Sequence, residues 1–284
     1  MATTVSGALA LAKASGLDAL DAQLLLARCL GQVRTWLLGH DDAQLDSANA
    51  DRFASMVARR AAGQPLAYLL GEKEFHGLLL EVTPAVLVPR PETEHLVEWG
   101  LEILGRCLAR VERPQVLDLG TGSGAIALAI KSESPHAQVC ALDVSADSLR
   151  VARGNASRLG LDVEFLLSDW WAATVGRAFD LVLCNPPYIA KSDRHLPALA
   201  HEPALALSPG PSGLEALRSV IDGAAAHMRP AGWLLLEHGS DQGSEVVDLL
   251  HRHGFTQVQT RKDLAGLPRC SGGCWDPPGP DGGQ

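Results

Sequence analysis

Residues 116–130 of the chain read VLDLGTGSGAIALAI, and this stretch decides the fold. Its first four residues form a mostly apolar run with the length and composition of a buried strand. A glycine-rich turn follows, and its glycines permit a tight bend and let the backbone approach a ligand closely. The apolar residues from Ala125 onward then open a helix. The stretch therefore predicts a strand, a ligand-binding turn and a helix in direct succession.

The same alternation of strands and helices continues towards the C-terminus. It predicts an α/β fold in which a mostly parallel, doubly wound, Rossmann-like sheet carries helices on both faces. In such sheets, ligands bind at the carboxyl ends of the strands. Further strands are predicted at 139–142, 163–167, 179–184 and 233–237, another begins at Phe255, and a helix covers 145–159. Four strand ends carry distinctive residues, namely the glycine-rich turn, Asp143, Ser168-Asp169-Trp170 and Asn185.

Asn185-Pro186-Pro187-Tyr188 follows the strand predicted at 179–184. Each proline fixes its own φ angle and restricts the residue before it, so this turn is stiff. The side-chain oxygen of Asn185 and the carbonyl of Pro186 then form two acceptors that suit a planar NH2 group. Tyr188 offers a flat ring for stacking. An ordinary proline-rich turn would show the same four residues, so the motif gains its meaning from its neighbours on the same sheet edge.

The glycine-rich turn alone fits two classes of ligand. Gly120, Gly122 and Ala125 also match the fingerprint of dinucleotide-binding proteins, with Asp143 placed for a ribose. Asn185 separates the classes, because methyl transfer to nitrogen needs acceptors that hold an NH2 group and hydride transfer does not. We therefore predict S-adenosyl-L-methionine as the cofactor. In this hypothesis Asp118 reaches the methionine portion, Asp143 binds both ribose hydroxyls, and Asp169 and Trp170 border the adenine.

The segments before the sheet predict two smaller parts. Residues 1 to about 70 show only helical patterns, with Asp18 as a cap and Gly31 as a stop. Residues 74–88 change to a strand-like alternation, and we expect a hairpin that turns at Thr83-Pro84. Pro91 suits the start of the next helix. Arg90, just before it, is the one charge in this stretch that we expect to face the site.

Composition limits the class of protein. The chain has 284 residues, 46% of them hydrophobic, which is enough for two domains. Its net charge of −9 does not favour nonspecific nucleic-acid binding, so we expect no direct nucleic-acid partner. The six cysteines are scattered and match no standard zinc spacing, so we expect a reducing compartment and no metal. With no apolar run of membrane-spanning length and no signal-peptide pattern, the sequence predicts a cytoplasmic protein without a membrane partner.

Several motifs together resemble the HemK/PrmC family, the N5-glutamine methyltransferases of peptide chain release factors. The Asn-Pro-Pro-Tyr motif alone also occurs in DNA adenine methyltransferases. The Pro-Arg-Pro-Glu-Thr-Glu stretch and the helical N-terminal part are much more specific to this family. The resemblance covers nearly the whole chain, and its segments are 66–75, 88–94, 116–130, 168–170, 185–189, 202–203 and 262–266.

This resemblance implies a Rossmann-like class I methyltransferase domain and a transferase that acts in translation termination. It implies peptide chain release factors as protein substrates, methylated on the glutamine of a Gly-Gly-Gln loop, with S-adenosyl-L-homocysteine as the second product. Catalysis is assigned to Asn185 and Pro186. Binding of the glutamine is assigned to Asn185, Pro186, Pro187 and Tyr188. The implied cofactor contacts are Gly120, Thr121, Gly122, Ser123, Gly124, Asp143, Trp170 and Asn185.

The predicted domains are a helical release-factor-binding domain (1–72), a β-hairpin linker (73–91), a methyltransferase domain (92–269) and a Gly/Pro-rich, disordered tail (270–284). Two alternatives remain for the function. An N6-adenine nucleic-acid methyltransferase would use the same chemistry at Asn185, and the acidic balance argues against it. A non-catalytic release-factor-binding module is the second, and the intact motifs argue against that. The chain ends in Gly282-Gly283-Gln284, the tripeptide that the family methylates, and the glycine-rich composition makes chance the simplest explanation.

Overall fold

The computed structural model of the chain describes residues 3–276, which form two compact units with the boundary between Lys73 and Glu74. The first unit is helical, as predicted. Asp18 caps one helix by accepting a hydrogen bond from the N–H of Leu20 at 2.8 Å, and Gly31 ends that helix with a φ of 64°. The helices in the described part of this unit are α1 (Val5–Ala14), α2 (Ala19–Leu30), α3 (Arg34–Leu38), α4 (Ser47–Ala61) and α5 (Leu66–Leu70).

A two-stranded hairpin follows, formed by β1 (Glu72–Phe75) and β2 (Leu78–Glu81). It turns at His76 and Gly77, whose φ angles of 49° and 76° are those of a tight two-residue hairpin turn. The prediction of a hairpin that turns at Thr83-Pro84 is therefore wrong. The valines of residues 82–88 are buried, but they belong to an irregular segment and not to a strand.

A seven-stranded sheet forms the centre of the second unit. Its strands are β3 (Gln115–Leu119), β4 (Gln138–Asp143), β5 (Glu164–Leu167), β6 (Phe179–Cys184), β7 (Met228–Glu237), β8 (Phe255–Lys262) and β9 (Pro268–Trp275). Their order across the sheet is β5-β4-β3-β6-β7-β9-β8. Strands β3 to β7 are parallel to one another, and β9 runs antiparallel to both of its neighbours. The predicted α/β fold with a mostly parallel sheet is confirmed.

Helices cover both faces of this sheet. Within β6, Leu181 and Leu183 contact one layer of helices, while Val182 and Cys184 contact the other, as the alternation of a strand requires. Among the described residues, no helix combines the length and the apolar content needed to cross a membrane. The first layer consists of α6 (Glu94–Arg106), α7 (Ala125–Glu133) and α8 (Ala146–Leu159), and the second of α10 (Glu215–Ala224) and α11 (Gly243–Arg252). Shorter helices at Pro91–Thr93, Trp170–Thr174, Leu196–Leu199 and α9 (Ala204–Leu207) lie in the connections.

Strand β9 occupies an interior position in the sheet, between β7 and β8. The prediction of a disordered tail from residue 270 is therefore wrong for residues 270–275. Its glycines meet a packing requirement, because a Cβ on Gly272 would lie 2.5 Å from the carbonyl oxygen of Leu234, and one on Gly273 would lie 3.1 Å from the Cβ of Phe255. The rest of the predicted tail, with Gly282-Gly283-Gln284, lies outside the described residues.

Candidate active site

The glycine-rich turn connects β3 to α7 at the centre of the sheet. Gly120, Gly122 and Gly124 have φ angles of 76°, 56° and 87°, in the left-handed region that glycine adopts without strain. A Cβ on Gly120 or Gly122 would meet no described atom within 4 Å, whereas one on Gly124 would lie 2.9 Å from Leu128. The first two glycines therefore border open space, and the third permits close packing of α7.

Asp118, on β3, ties this turn to α7. It is fully buried, and its Oδ2 accepts hydrogen bonds from the Thr121 hydroxyl at 2.6 Å and from the N–H of Ala127 at 3.1 Å. Its Oδ1 has no hydrogen-bond partner among residues 3–276. Burial raises the pKa of Asp118 to about 7, although both hydrogen bonds favour the charged form. The unpaired oxygen suits a cationic or hydrogen-donating ligand group, and the contact with a methionine portion stays a prediction.

Asp143, at the end of β4, is held rigidly by the backbone around it. Its Oδ2 accepts a hydrogen bond from the N–H of Gly122 at 2.9 Å, and its Oδ1 accepts one from the N–H of Ser145 at 2.8 Å. Burial nevertheless raises the pKa of Asp143. Each oxygen retains lone-pair capacity for a ligand hydroxyl. The carboxylate can therefore shape the glycine-rich turn and bind a ligand at the same time.

Trp170 follows β5 with a φ of 44°, which is strained for a residue with a side chain. The hydroxyl of Ser168 stabilises this bend by donating to the carbonyl of Trp170 at 2.7 Å and accepting from the N–H of Ala173 at 2.9 Å. The next residue, Trp171, is buried and stacks on His227 with 4.7 Å between ring centroids. The bend therefore leaves Trp170, and not Trp171, at the cavity described next.

A cavity of about 510 Å³ lies along the carboxyl ends of β3, β4, β5 and β6. Its acidic lining residues are Asp143, Asp169 and Glu215, and none of the described residues that line it is basic. This charge favours a cationic ligand over the anionic pyrophosphate of a dinucleotide. The predicted site residues that line this cavity are Gly120, Gly122, Asp143, Trp170, Asn185 and Pro187.

Asn185 lines both this cavity and a smaller one of about 280 Å³. Its Nδ2 donates a hydrogen bond to Oγ1 of Thr93 at 3.1 Å, which leaves Oδ1 for a ligand. Pro186 and Tyr188 line the smaller cavity, whereas Pro187 lines the larger one. The motif therefore separates the two cavities, and Asn185 is accessible from both.

Glu237, at the end of β7, also lines the smaller cavity. Its Oε1 accepts a hydrogen bond from the hydroxyl of Tyr188 at 3.2 Å. Burial raises the pKa of Glu237 to about 7, while hydrogen bonding from Thr93 and Tyr188 favours its charged form. Sequence reasoning missed this residue, because a glutamate after an apolar strand carries no motif of its own.

The segment 89–94 supplies two contacts at the site and one contact to the hairpin turn. Arg90 lines the smaller cavity, as expected, and forms an ion pair with the buried Glu202. Thr93 accepts the hydrogen bond from Asn185, and Glu94 accepts one from the backbone of the hairpin turn at 3.2 Å. Sequence reasoning did not assign a role to Thr93, and the signal available was its place inside the Pro-Arg-Pro-Glu-Thr-Glu stretch.

Three predicted cofactor contacts, Thr121, Ser123 and Gly124, are not among the described residues that line either cavity. Thr121 bonds to the Asp118 carboxylate, and the carbonyl of Ser123 accepts a hydrogen bond from Nδ2 of Asn155 at 2.9 Å. These residues shape the turn, and a direct contact between them and a cofactor stays a prediction.

Comparisons with known proteins agree with this architecture. The family model described as the PrmC N-terminal domain matches residues 5–71, and the methyltransferase small domain matches residues 94–204. Among solved structures, the chain is similar to a methyltransferase from Pyrococcus furiosus, with a TM-score of 0.52 and 19% identity over 80% of this chain and 99% of that one. It is also similar to a 16S rRNA N2 G1207 methyltransferase from T. thermophilus, with a TM-score of 0.53 and 22% identity over 72% of this chain and 49% of that one. At these identities the two structures show the fold alone.

Curated relatives match at higher identity. The chain is 49% identical over 272 residues to the release factor glutamine methyltransferase of Burkholderia pseudomallei, and the match covers 93% of this chain and 94% of that protein. It is 47% identical over 269 residues to the release factor glutamine methyltransferase of Xylella fastidiosa, and the match covers 94% of this chain and 96% of that protein. With such identity over nearly the full length of its relatives, the chain belongs to the family of release factor glutamine methyltransferases.

Proposed function

We propose that this chain transfers a methyl group from S-adenosyl-L-methionine to the side-chain amide nitrogen (N5) of the glutamine in the Gly-Gly-Gln motif of peptide chain release factors. The observation that carries the proposal is the position of Asn185, which lines both cavities. A methyl donor in the larger cavity and a glutamine side chain in the smaller one would meet at this residue.

The residues of the larger cavity fit S-adenosyl-L-methionine. Gly120 and Gly122 border open space, and the lining is acidic, as a ligand with two positive centres requires. Asp118 is buried behind the glycine-rich turn and is not among the lining residues, but it keeps an unpaired oxygen. When bound, this molecule supplies an electrophilic methyl group. Asp143 would hold the ribose hydroxyls through charge-assisted hydrogen bonds, and Trp170 would border the adenine.

The acceptor is an amide nitrogen, a weak nucleophile because its lone pair is delocalised into the carbonyl. Oδ1 of Asn185 and the carbonyl oxygen of Pro186 would accept its two N–H groups, fix the nitrogen and favour a lone pair directed at the larger cavity. The ring of Tyr188 would pack against the planar amide. Placing the reacting atoms in this way can contribute about 7–11 kcal/mol to catalysis. No base is needed before the attack, because the nitrogen becomes strongly acidic as the methyl group arrives.

The release factor is larger than the smaller cavity, so it needs a second point of attachment. We assign this role to the helical first unit, whose residues 5–71 match the PrmC N-terminal domain. Release factors work in translation, so the proposed substrate also implies a cytoplasmic location. The net charge of −9 supports a protein partner without direct nucleic-acid contact.

Mass spectrometry of a purified release factor incubated with this protein and S-adenosyl-L-methionine tests the proposal. We expect one added methyl group on the glutamine of the Gly-Gly-Gln motif. A release factor with that glutamine replaced by glutamate is the matched control and should gain none. If the wild-type release factor stays unmodified while an adenine-containing oligonucleotide is methylated, the proposal is overturned in favour of a nucleic-acid substrate.

A further inference from the structure

Glu237 is a buried carboxylate that the methyl-transfer scheme above does not use. It is 1% exposed, and it lines the smaller cavity together with Asn185, Pro186 and Tyr188. Its Oε1 accepts the hydrogen bond from Tyr188, but its Oε2 has no hydrogen-bond partner among the described residues. Burying a carboxylate with an unpaired oxygen is unfavourable, so a functional reason is required for its presence at this site.

Thr93 connects Glu237 to Asn185. Its Oγ1 accepts the hydrogen bond from Nδ2 of Asn185 at 3.1 Å, and hydrogen bonding from its side chain favours the charged form of Glu237. A hydroxyl has one hydrogen to donate, and a carboxylate can only accept it, so the lone pairs of Thr93 remain for Asn185. A charged Glu237 that takes this hydrogen would therefore fix the direction of both hydrogen bonds.

The direction matters because the two ends of the Asn185 amide are chemically opposite. With Nδ2 held on Thr93, Oδ1 is presented to the acceptor and can receive one of its N–H groups. With the amide turned over, Nδ2 would face the N–H groups of the acceptor, and two donors would oppose each other. Correct placement of the glutamine would then depend on Glu237, which has no hydrogen bond of its own to Asn185.

We propose that Glu237 is a positioning residue for methyl transfer, which as a carboxylate orients Asn185 through Thr93, holds the hydroxyl of Tyr188, and places negative charge beside the acceptor nitrogen. This inference rests on the proposed function and concerns the same site. During transfer the lone pair of the acceptor nitrogen forms the bond to the methyl carbon. The carbon–sulfur bond breaks, its electron pair passes to sulfur, and the cationic nitrogen then releases one proton to solvent.

The protonation of Glu237 gives this role a measurable signature. Its pKa of about 7 is set first by burial, and below that pH the carboxyl gains a hydrogen that it can donate, so the direction of the Thr93 hydrogen bond is no longer forced. Arg269 favours the charged form and Glu92 opposes it. The other titratable groups beside Glu237 are Tyr188 after β6, Cys184 on β6, Cys270 on β9 and the following residue, His238.

The test compares wild-type enzyme with Glu237→Gln, which keeps the shape of the side chain and removes its charge. We expect kcat on release factor to fall about 10- to 100-fold in the variant, and its dependence on pH near neutrality to become weaker because the contribution of Glu237 is lost. Affinity for S-adenosyl-L-methionine, measured by calorimetry, should stay within about twofold, because the larger cavity does not include this residue. An active wild type with an equally active variant and the same pH profile would overturn the inference. A wild type that transfers no methyl group at all would instead contradict the proposed function.

A second pair of variants tests the connection without changing Glu237. Thr93→Ser keeps a hydroxyl, whereas Thr93→Val has nearly the same shape and cannot bond to Asn185 or to Glu237. We expect kcat of the serine variant to exceed that of the valine variant about tenfold or more. Equal kcat values in the two variants would overturn the inference. This pair can therefore overturn the inference even if Glu237→Gln fails to fold.

Discussion

The side-chain nitrogen of Asn185 donates a hydrogen bond to the hydroxyl oxygen of Thr93 at 3.1 Å, across 92 positions of the sequence. The contact joins the turn after β6 to the start of α6. It determines which atom of the Asn185 amide is free at the boundary between the two cavities. The Asn-Pro-Pro-Tyr motif and the Pro-Arg-Pro-Glu-Thr-Glu stretch therefore belong to the same site.

Replacing Asn185 by alanine removes the acceptor that holds the substrate nitrogen. We expect Asn185→Ala to reduce kcat by the equivalent of about 2–4 kcal/mol, because one well-placed partner is lost in the transition state. Binding of S-adenosyl-L-methionine should remain largely intact, which calorimetry can check. Turnover at the wild-type rate would remove Asn185 from the mechanism.

Asp143→Ala should act on the cofactor instead. We expect an affinity for S-adenosyl-L-methionine lower by about 1.5–3 kcal/mol, because hydrogen bonds to a charged group are lost together with the support of Gly122. Asp162→Ala, at an exposed position, is the matched control and should bind as the wild type does. Calorimetry that finds the same affinity in both variants would exclude Asp143 from the cofactor site.

Asp118 should make the stability of the fold depend on pH. Its pKa is about 7 in the folded protein and 3.8 without the fold, so the folded state binds the proton more tightly. The stability that this proton contributes is fully present below the lower pKa and is lost as the pH rises through the higher pKa. Between about pH 5 and pH 8, the wild type should lose on the order of 1–3 kcal/mol more unfolding free energy than Asp118→Asn, because only the wild type has a carboxyl group to titrate at this position. Urea denaturation at both pH values measures it, and parallel curves for the two proteins would show that Asp118 does not titrate in this range.

Gly272→Ala should destabilise the second unit. Its Cβ would lie 2.5 Å from the carbonyl oxygen of Leu234, so β9 and β7 must separate, at a cost of about 1–3 kcal/mol. The control is Gly154→Ala in α8, where a Cβ would meet no described atom within 4 Å. That change should be neutral or stabilising by up to about 1 kcal/mol. A thermal midpoint that falls equally in both variants would contradict the packing argument.

A chain that begins at Gly71 lacks the helical first unit. We expect it to bind S-adenosyl-L-methionine normally, because the larger cavity is lined by residues of the second unit. Methylation of intact release factor should be nearly lost, since the proposed attachment of the substrate is missing. Activity equal to that of the full chain would leave the first unit without a role in substrate binding.

Features that depend on neighbouring residues in the chain were predictable from sequence. Asp18 and Gly31 act on the helix between them, and the glycine-rich turn follows directly from β3, so local patterns contain the necessary information. The roles of Thr93 and Glu237 depend on contacts with Asn185 and Tyr188, which lie far away in the sequence. Contacts between residues so far apart in the sequence leave no local pattern from which they could be predicted.

A glycine lies at each of the two places where the fold differs from the prediction. Gly272 is compatible with a flexible tail when the sequence is considered alone, and only the carbonyl of Leu234 beside it shows why a side chain is excluded. The strand-like alternation of residues 74–88 predicts a hairpin turn at Thr83-Pro84, whereas His76 and Gly77, with positive φ angles, form the turn. In both cases the meaning of the glycine depends on the strand that it faces or follows.

The interior position of β9 has a consequence for the synthesis of the protein. A polypeptide leaves the ribosome with its N-terminus first, so β9 emerges after the other described strands. Until then β7 and β8 each have an unpaired edge. The smaller cavity also needs Arg269, which belongs to β9. A nascent chain interrupted before this strand therefore has an open sheet and no complete acceptor site. The enzyme can act on other chains only once translation of its own last strand has finished.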